Sequence, residues 1–153
     1  MPKKISYDRP LQELTLRKYE KPYNLSDREL IKKICLSLGL LQPGDSRDVI
    51  VDVFNVLLKH AQDKVELTSK KITSFVVEER KNNNLPLIGI ASSNIRRQLK
   101  RLRELHLVEK IENNYRITEF EKIASLFEKR IKKFILPAIV ERIEEYLNQL
   151  DRN

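Results

Sequence analysis

Three groups of side chains in this 153-residue chain have the types and spacing to do chemistry. Asp48 and Asp52 stand four residues apart, which on a helix brings two carboxylates to one face, the beginning of a hard-cation site. The sequence places no third acidic ligand beside them. Asp48 also suits the positive start of a helix, so the pair reads as structural. Cys35 is the single cysteine. It would need a base to act as a nucleophile, and with none supplied nearby it reads as a small core residue. His60 and His106 lie far apart, and one cysteine makes neither a disulfide framework nor a thiolate zinc cluster, so no structural metal and no cofactor is expected. The third group is the richest. Ser92, Ser93, Asn94, Arg96, Arg97, Lys100, Arg101 and Arg103 concentrate hydroxyl, amide and cationic groups in one short run beside a single acid, Glu104. Such groups recognise anions and flat hydrogen-bonding edges; they do not form an acid/base set.

Stepping from these residues to what must hold them, Ile95, Leu99, Leu102 and Leu105 recur at helical spacing, which predicts a helix from Ser92 or Ser93 with the charges on its other side. Upstream, Ser26-Asp27-Arg28-Glu29 has the capping-box form and starts a helix carrying Leu30, Ile31, Ile34 and Leu38, with Gly39 placed to end it. After the Pro43-Gly44 turn, Asp45 or Ser46 caps a second helix to about Gln62. Val65-Glu66-Leu67 reads as a short strand, and Thr68 as the cap of a third helix that ends near Arg80, with Ile72, Phe75 and Val76 on one face. Residues 81–90 form a loop in which Leu85, Leu87, Ile88 and Ile90 suggest partial return to the core. Val108 to Ile111 and Tyr115 to Ile117 flank a tight hairpin at Glu112-Asn113-Asn114. Thr118-Glu119-Phe120-Glu121 is a second capping box, from which a helix runs toward Leu136 until Pro137 breaks or kinks it; a last helix follows to about Leu150.

The formal net charge of +8 suits an anionic partner, and its excess is concentrated. Residues 1–25 hold six basic and three acidic residues, and residues 91–117 hold seven and three, while the remaining segments are close to balanced. Residues 1–25, with Pro2, Pro10 and Pro22, read as a basic extended arm with a short helical piece from Leu11 to Lys18. Nothing resembles a signal peptide or a membrane span, so a cytoplasmic protein with no membrane partner is expected.

The order helix, short strand, helix, helix, strand, turn, strand over about residues 47–118 resembles the winged helix-turn-helix domain of prokaryotic and archaeal-type transcription regulators. The run Ser92 to Lys110, a basic helix ending in leucine, then His106, leucine and valine, carries most of that resemblance. His106 stands where glycine is frequent in such domains, as a residue tolerated at positive φ. The loop before this helix is longer than the motif's usual turn. The resemblance implies a mainly α fold with a small β-hairpin wing and extra N- and C-terminal helices. It divides the chain into a basic arm (1–25), a helical region with the winged core (26–118) and C-terminal helices (119–153). It implies a non-enzymatic, sequence-selective regulator of double-stranded DNA. Ser92, Ser93, Asn94, Arg96, Arg97 and Lys100 would reach base edges or phosphates, Arg101 and Arg103 phosphates, and Asn113, Asn114 and Arg116 of the wing the backbone or minor groove. Lys3, Lys4, Arg9, Arg17 and Lys18 of the arm would add phosphate or minor-groove contacts. Leu136, Ile139, Ile143, Tyr146 and Leu150 form a short apolar seam that packs on its own domain or, as the regulators imply, on a second copy in a homodimer. The rival expectation is a winged-helix interaction or architectural module within a chromosome, replication or transcription complex; a nuclease is disfavoured for want of a clustered metal or acid/base set.

Overall fold

The structure is a computed structural model that describes residues 8–152, so Lys3 and Lys4 of the arm lie outside the described residues. At Ser26 the expected capping box forms: the serine Oγ accepts from the Glu29 amide at 3.3 Å and the Glu29 carboxylate accepts from the Ser26 amide at 3.2 Å. Helix α1 (Asp27–Ser37) follows, burying Ile31 and Cys35. Gly39, at φ +72°, turns the chain off its end, and a side chain there would meet Thr15 at 2.5 Å. Glycine is therefore required twice, for the left-handed turn and for the close approach of the arm.

The helical piece expected from Leu11 to Lys18 does not form; the chain bends at Leu11 and Gln12 and then runs without regular secondary structure. Its backbone is tied to α1 instead. The Arg17 amide donates to the Ser37 carbonyl at 2.8 Å, and the Arg17 guanidinium donates to the carbonyls of Leu36 at 2.7 Å and Leu41 at 3.2 Å and to Gln42 Oε1 at 2.8 Å. These carbonyls lie at and just beyond the helix end, where the helix itself leaves acceptors without partners.

Helix α2 (Val49–Gln62) begins after Asp48, not after Asp45 or Ser46. Asp45 Oδ1 instead accepts from the Arg47 amide at 2.9 Å, a local turn that competes with helix initiation. Val49, Ile50, Val53, Phe54 and Leu57 make α2 the centre of the core. Strand β1 is only Leu67–Thr68, with Val65 exposed outside it. Thr68 Oγ1 then accepts from the Lys71 amide at 3.2 Å and caps α3 (Ser69–Asn82) as expected. Ile72 and Val76 are buried against the core, while Phe75 sits at the edge with its ring 4.6 Å from that of His60.

The loop from 83 to 91 returns to the core through Leu85 and Ile90, which are half-buried; Leu87 and Ile88 face solvent, contrary to expectation. Polar anchors hold it in place of apolar ones. Arg80 Nε donates to the Pro86 carbonyl at 2.7 Å and Asn94 Nδ2 to the Gly89 carbonyl at 2.7 Å. Helix α4 (Ser92–Glu104) starts from Ala91 with no side-chain cap bond, so neither serine is the cap; Ile95, Leu99 and Leu102 are buried along its inner side.

His106, at φ +62°, turns the chain into β2 (Val108–Ile111), which pairs antiparallel with β3 (Asn114–Ile117). Ile111 stands opposite Asn114, and Glu112 takes the positive φ of the tight turn. On its other edge β3 pairs antiparallel with β1, placing Leu67 opposite Tyr115, so the sheet order is β1-β3-β2. The architecture is mainly helical with this small three-stranded antiparallel sheet.

Thr118 does not start a capping-box helix. Its hydroxyl donates to the His106 carbonyl at 2.8 Å, and residues Thr118–Phe120 make one tight turn in which Glu119 and Phe120 have positive φ. A tertiary bond has outcompeted the local cap. The helix restarts only at α5 (Ile123–Leu126), continues as the wide-wound segment Phe127–Ile135, and passes into α6 (Leu136–Asp151). Pro137 therefore does not break the helix. The junction residue Ile135 keeps helical φ −65° and ψ −51°. Pro137 stands at the second residue of α6, directly after the wide-wound turns, where the regular hydrogen-bond ladder that a proline would interrupt is already altered. Ile131 and Ile135 are buried, whereas α6 buries no residue, so the seam does not fold back on its own domain beyond the half-buried Ile139. Among the described residues no helix is long and apolar enough to cross a membrane.

Candidate nucleic-acid interface

The outer side of α4 presents Ser92, Ser93, Arg96, Arg97, Lys100 and Arg103 to solvent, and its inner side is locked into the core by Ile95, Leu99 and Leu102. This rigid backing fixes where the polar groups stand. None of the five cations of α4 has a carboxylate within ion-pair distance among the described residues, in contrast to Arg28, Arg80, Arg116 and Lys129 elsewhere. The surface is thus an uncompensated positive ridge that carries hydroxyls at its N-terminal end.

On α4, Asn94 and Arg101, both expected contact residues, are engaged within the fold. Asn94 is half-buried: its Nδ2 holds the Gly89 carbonyl, and its Oδ1 accepts from Arg97 Nη2 at 2.8 Å and Gln98 Nε2 at 3.1 Å. It positions the loop and Arg97. Arg101 is half-buried and donates to the Gly39 carbonyl at 3.0 Å and to Gln98 Oε1 at 3.0 Å, tying α4 to the end of α1. Between α4, the loop and residues 40–50 opens a cleft of about 540 Å³, with Arg47, Arg97 and Arg101 on its walls and Leu40, Leu41 and Ile50 beneath. Arg47 belongs to this surface and was not singled out by the sequence pattern, because its proximity to α4 arises only in the tertiary fold.

In the hairpin, Asn113 is exposed at the turn, whereas Asn114 is half-buried within β3. Arg116 is committed to the sheet. Its Nε lies 2.7 Å from Glu109 Oε2, its Nη1 3.6 Å from Glu66 Oε2, and its guanidinium stacks over the Phe120 ring at 4.7 Å. Of the described arm residues, Arg9 and Lys18 are exposed and Arg17 is engaged at the end of α1.

Asp48 and Asp52 do come together, but as an ion cluster. Arg28 Nε lies 3.1 Å from Asp52 Oδ1 and its Nη2 3.2 Å from Asp48 Oδ2; Arg80 Nη1 lies 3.1 Å from Asp48 Oδ1 and 2.5 Å from Asp52 Oδ2. All four carboxylate oxygens face guanidinium groups. Burial pushes the Asp48 carboxyl upward, but hydrogen bonds from Arg80 and Arg28 outweigh it and hold the group below its ordinary range. Among the described residues no group of three or more His, Cys, Asp or Glu side chains is placed to hold a metal ion. Cys35 is fully enclosed and burial pushes its thiol up to about 12, so it is no nucleophile at neutral pH.

On α6, Ile143, Tyr146 and Leu150 are exposed by half or more, and exposed Val140 and Leu147 widen the expected seam into a stripe; Leu136 and Ile139 are half-buried at its start. Their spacing of four from Leu136 and Ile143 is a helical signal that a heptad reading alone passes over. No protein-family model, curated protein or solved structure matches this chain, so the reading of its surfaces rests on their chemistry.

Proposed function

We propose that the protein is a winged helix-turn-helix regulator that binds double-stranded DNA sequence-selectively, with α4 in the major groove and the β2–β3 hairpin as the wing. The order α2, β1, α3, α4, β2, β3, with β1 hydrogen-bonded to β3, supports this fold reading. The observation that carries the function is the outer side of α4: exposed serines at the N-terminal end, then Arg96, Arg97, Lys100 and Arg103 without carboxylate partners among the described residues, on a helix immobilised from behind. Such a helix meets base edges with its first turns and phosphates with its later ones. A homodimer through the α6 stripe accompanies this reading, because one apolar stripe is self-complementary about a twofold axis and paired half-sites raise specificity.

The test is selection from random duplexes followed by Arg96→Ala. Among the described residues the Arg96 side chain is exposed and has no ion-pair partner, so its loss removes no such contact within the fold. The substitution should weaken the selected site by about 1–3 kcal/mol and random duplex far less. Failure to enrich any sequence, with equal losses on every duplex, would overturn sequence selectivity. One observation favours the interaction-module alternative, the exposed α6 stripe. That reading predicts no duplex binding above background at physiological salt.

A further inference from the structure

A second cleft, of about 310 Å³, lies on the flank of α4 away from Arg47, between the C-terminal end of α4, strand β2 and the wide-wound segment Phe127–Ile135. Arg103 of α4, His106, Lys110 of β2 and Arg130 of the wide-wound segment line it. The one acid on its wall, Glu109, already accepts from Arg116 Nε at 2.7 Å and from the Glu119 amide at 2.8 Å. Arg103, Lys110 and Arg130 have no carboxylate within ion-pair distance among the described residues, although Lys129, Lys132 and Lys133 beside Arg130 all do. Arg103 and His106 at the end of α4, Lys110 of β2 and Arg130 of the wide-wound segment thus bring three cations and an imidazole to the wall of a cleft that can admit a phosphate. Its one carboxylate is held through Oε2 by Arg116 and the Glu119 amide, and Lys110 Nζ lies 5.6 Å from the centre of the Tyr115 ring. We propose that this cleft is a phosphate seat, and that Lys110 and Arg130 bind a phosphate group there together with Arg103 and His106.

The phosphate has two chemical sources, the backbone of a duplex lying along α4 or a free phosphate ester, and only the first rests on the reading of α4 given above. His106 is the internal gauge. Its ring lies edge-on to Phe134 at 5.7 Å, and burial together with the Arg130 charge lowers its affinity for protons. Besides the cleft groups Arg103, Glu109, Lys110 and Arg130, the charged residues near the ring are Glu13 of the arm and Arg101 and Glu104 of α4, which line the adjoining groove. A dianion in the seat opposes Arg130 and favours the imidazolium.

The experiment is an NMR pH titration of the two histidine rings in the full chain, with His60→Gln for assignment, at constant ionic strength. Sulfate serves as a dianion whose charge does not change in this pH range, and a short duplex provides the second arm. Either probe in the seat should raise the His106 midpoint by about one unit and leave His60 in place. Arg130→Gln should raise the midpoint of the unliganded protein by removing that charge and should shrink the probe-induced rise, while an unchanged dispersion of the amide spectrum shows that the variant retains the fold around His106. A rise with sulfate in a protein that binds no duplex would keep the seat and overturn the DNA reading. A rise with duplex alone would keep the seat and assign it to backbone phosphate. No rise with either probe, or an equal rise in Arg130→Gln, would overturn the proposal.

Discussion

Arg80 is among the largest of the fully enclosed side chains, and it is charged. It survives burial because its guanidinium meets two carboxylates and the Pro86 carbonyl at once. Removing it leaves Asp48 and Asp52 enclosed with Arg28 alone, so Arg80→Met should cost about 3–5 kcal/mol in urea unfolding. Adding Asp52→Asn should return part of that loss. The same cluster sets an acid limit. Because the Asp48 carboxyl is held below its ordinary value in the folded protein, its contribution to stability is present above about pH 4 and is lost as pH falls below that. The urea midpoint should therefore drop on acidification, and by less in Arg80→Met. The Asp48–Asp52 pairing was legible in the sequence as a spacing of four. Its partners were not, since Arg28 lies 20 residues before Asp48 and Arg80 lies 32 after it, and only the packing of α1 and α3 on α2 brings them together.

Among the elements, helix starts carry separate and unequal energies. Ser26 and Glu29 cap α1 reciprocally, so Ser26→Ala should cost about 1 kcal/mol. Ser92→Ala and Ser93→Ala at the start of α4 should change stability by less than about 0.5 kcal/mol, because neither hydroxyl caps the helix. Thermal melts of the three variants test the contrast, and any loss of duplex affinity in the α4 pair then reports contact, not unfolding. Periodicity made α1 to α4 and the hairpin legible, because one apolar face against a common core is a local sequence property. It failed at two places where a distant acceptor decided the outcome. Arg17 ties the non-helical residues 11–18 to the end of α1, and the His106 carbonyl drew Thr118 away from the cap it resembles. The chemical types on α4 were read correctly as a basic, polar face; which of its residues stand free and which are tied to Gly39 or Gly89 required the tertiary contacts.

At the scale of the whole molecule, the core ends near Ile135 while the chain continues for the length of α6. Residues 141–152 are exposed throughout, so deleting residues 141–153 should leave the melting temperature of the monomer fold almost unchanged. If the stripe joins two copies, the sedimenting mass should fall by half, and affinity for paired half-sites should fall while that for a single half-site holds. Retention of the full mass would place the contact elsewhere. The enclosed Cys35 gives such experiments an instrument of their own. It is the chain's only sulfhydryl, and it stands on α1 inside the core, where a thiol reagent reaches it only when that packing opens. The rate of its modification under native conditions is therefore a clock for core opening, readable without any label, and a cysteine engineered onto the surface would take up a probe before the native one reacts.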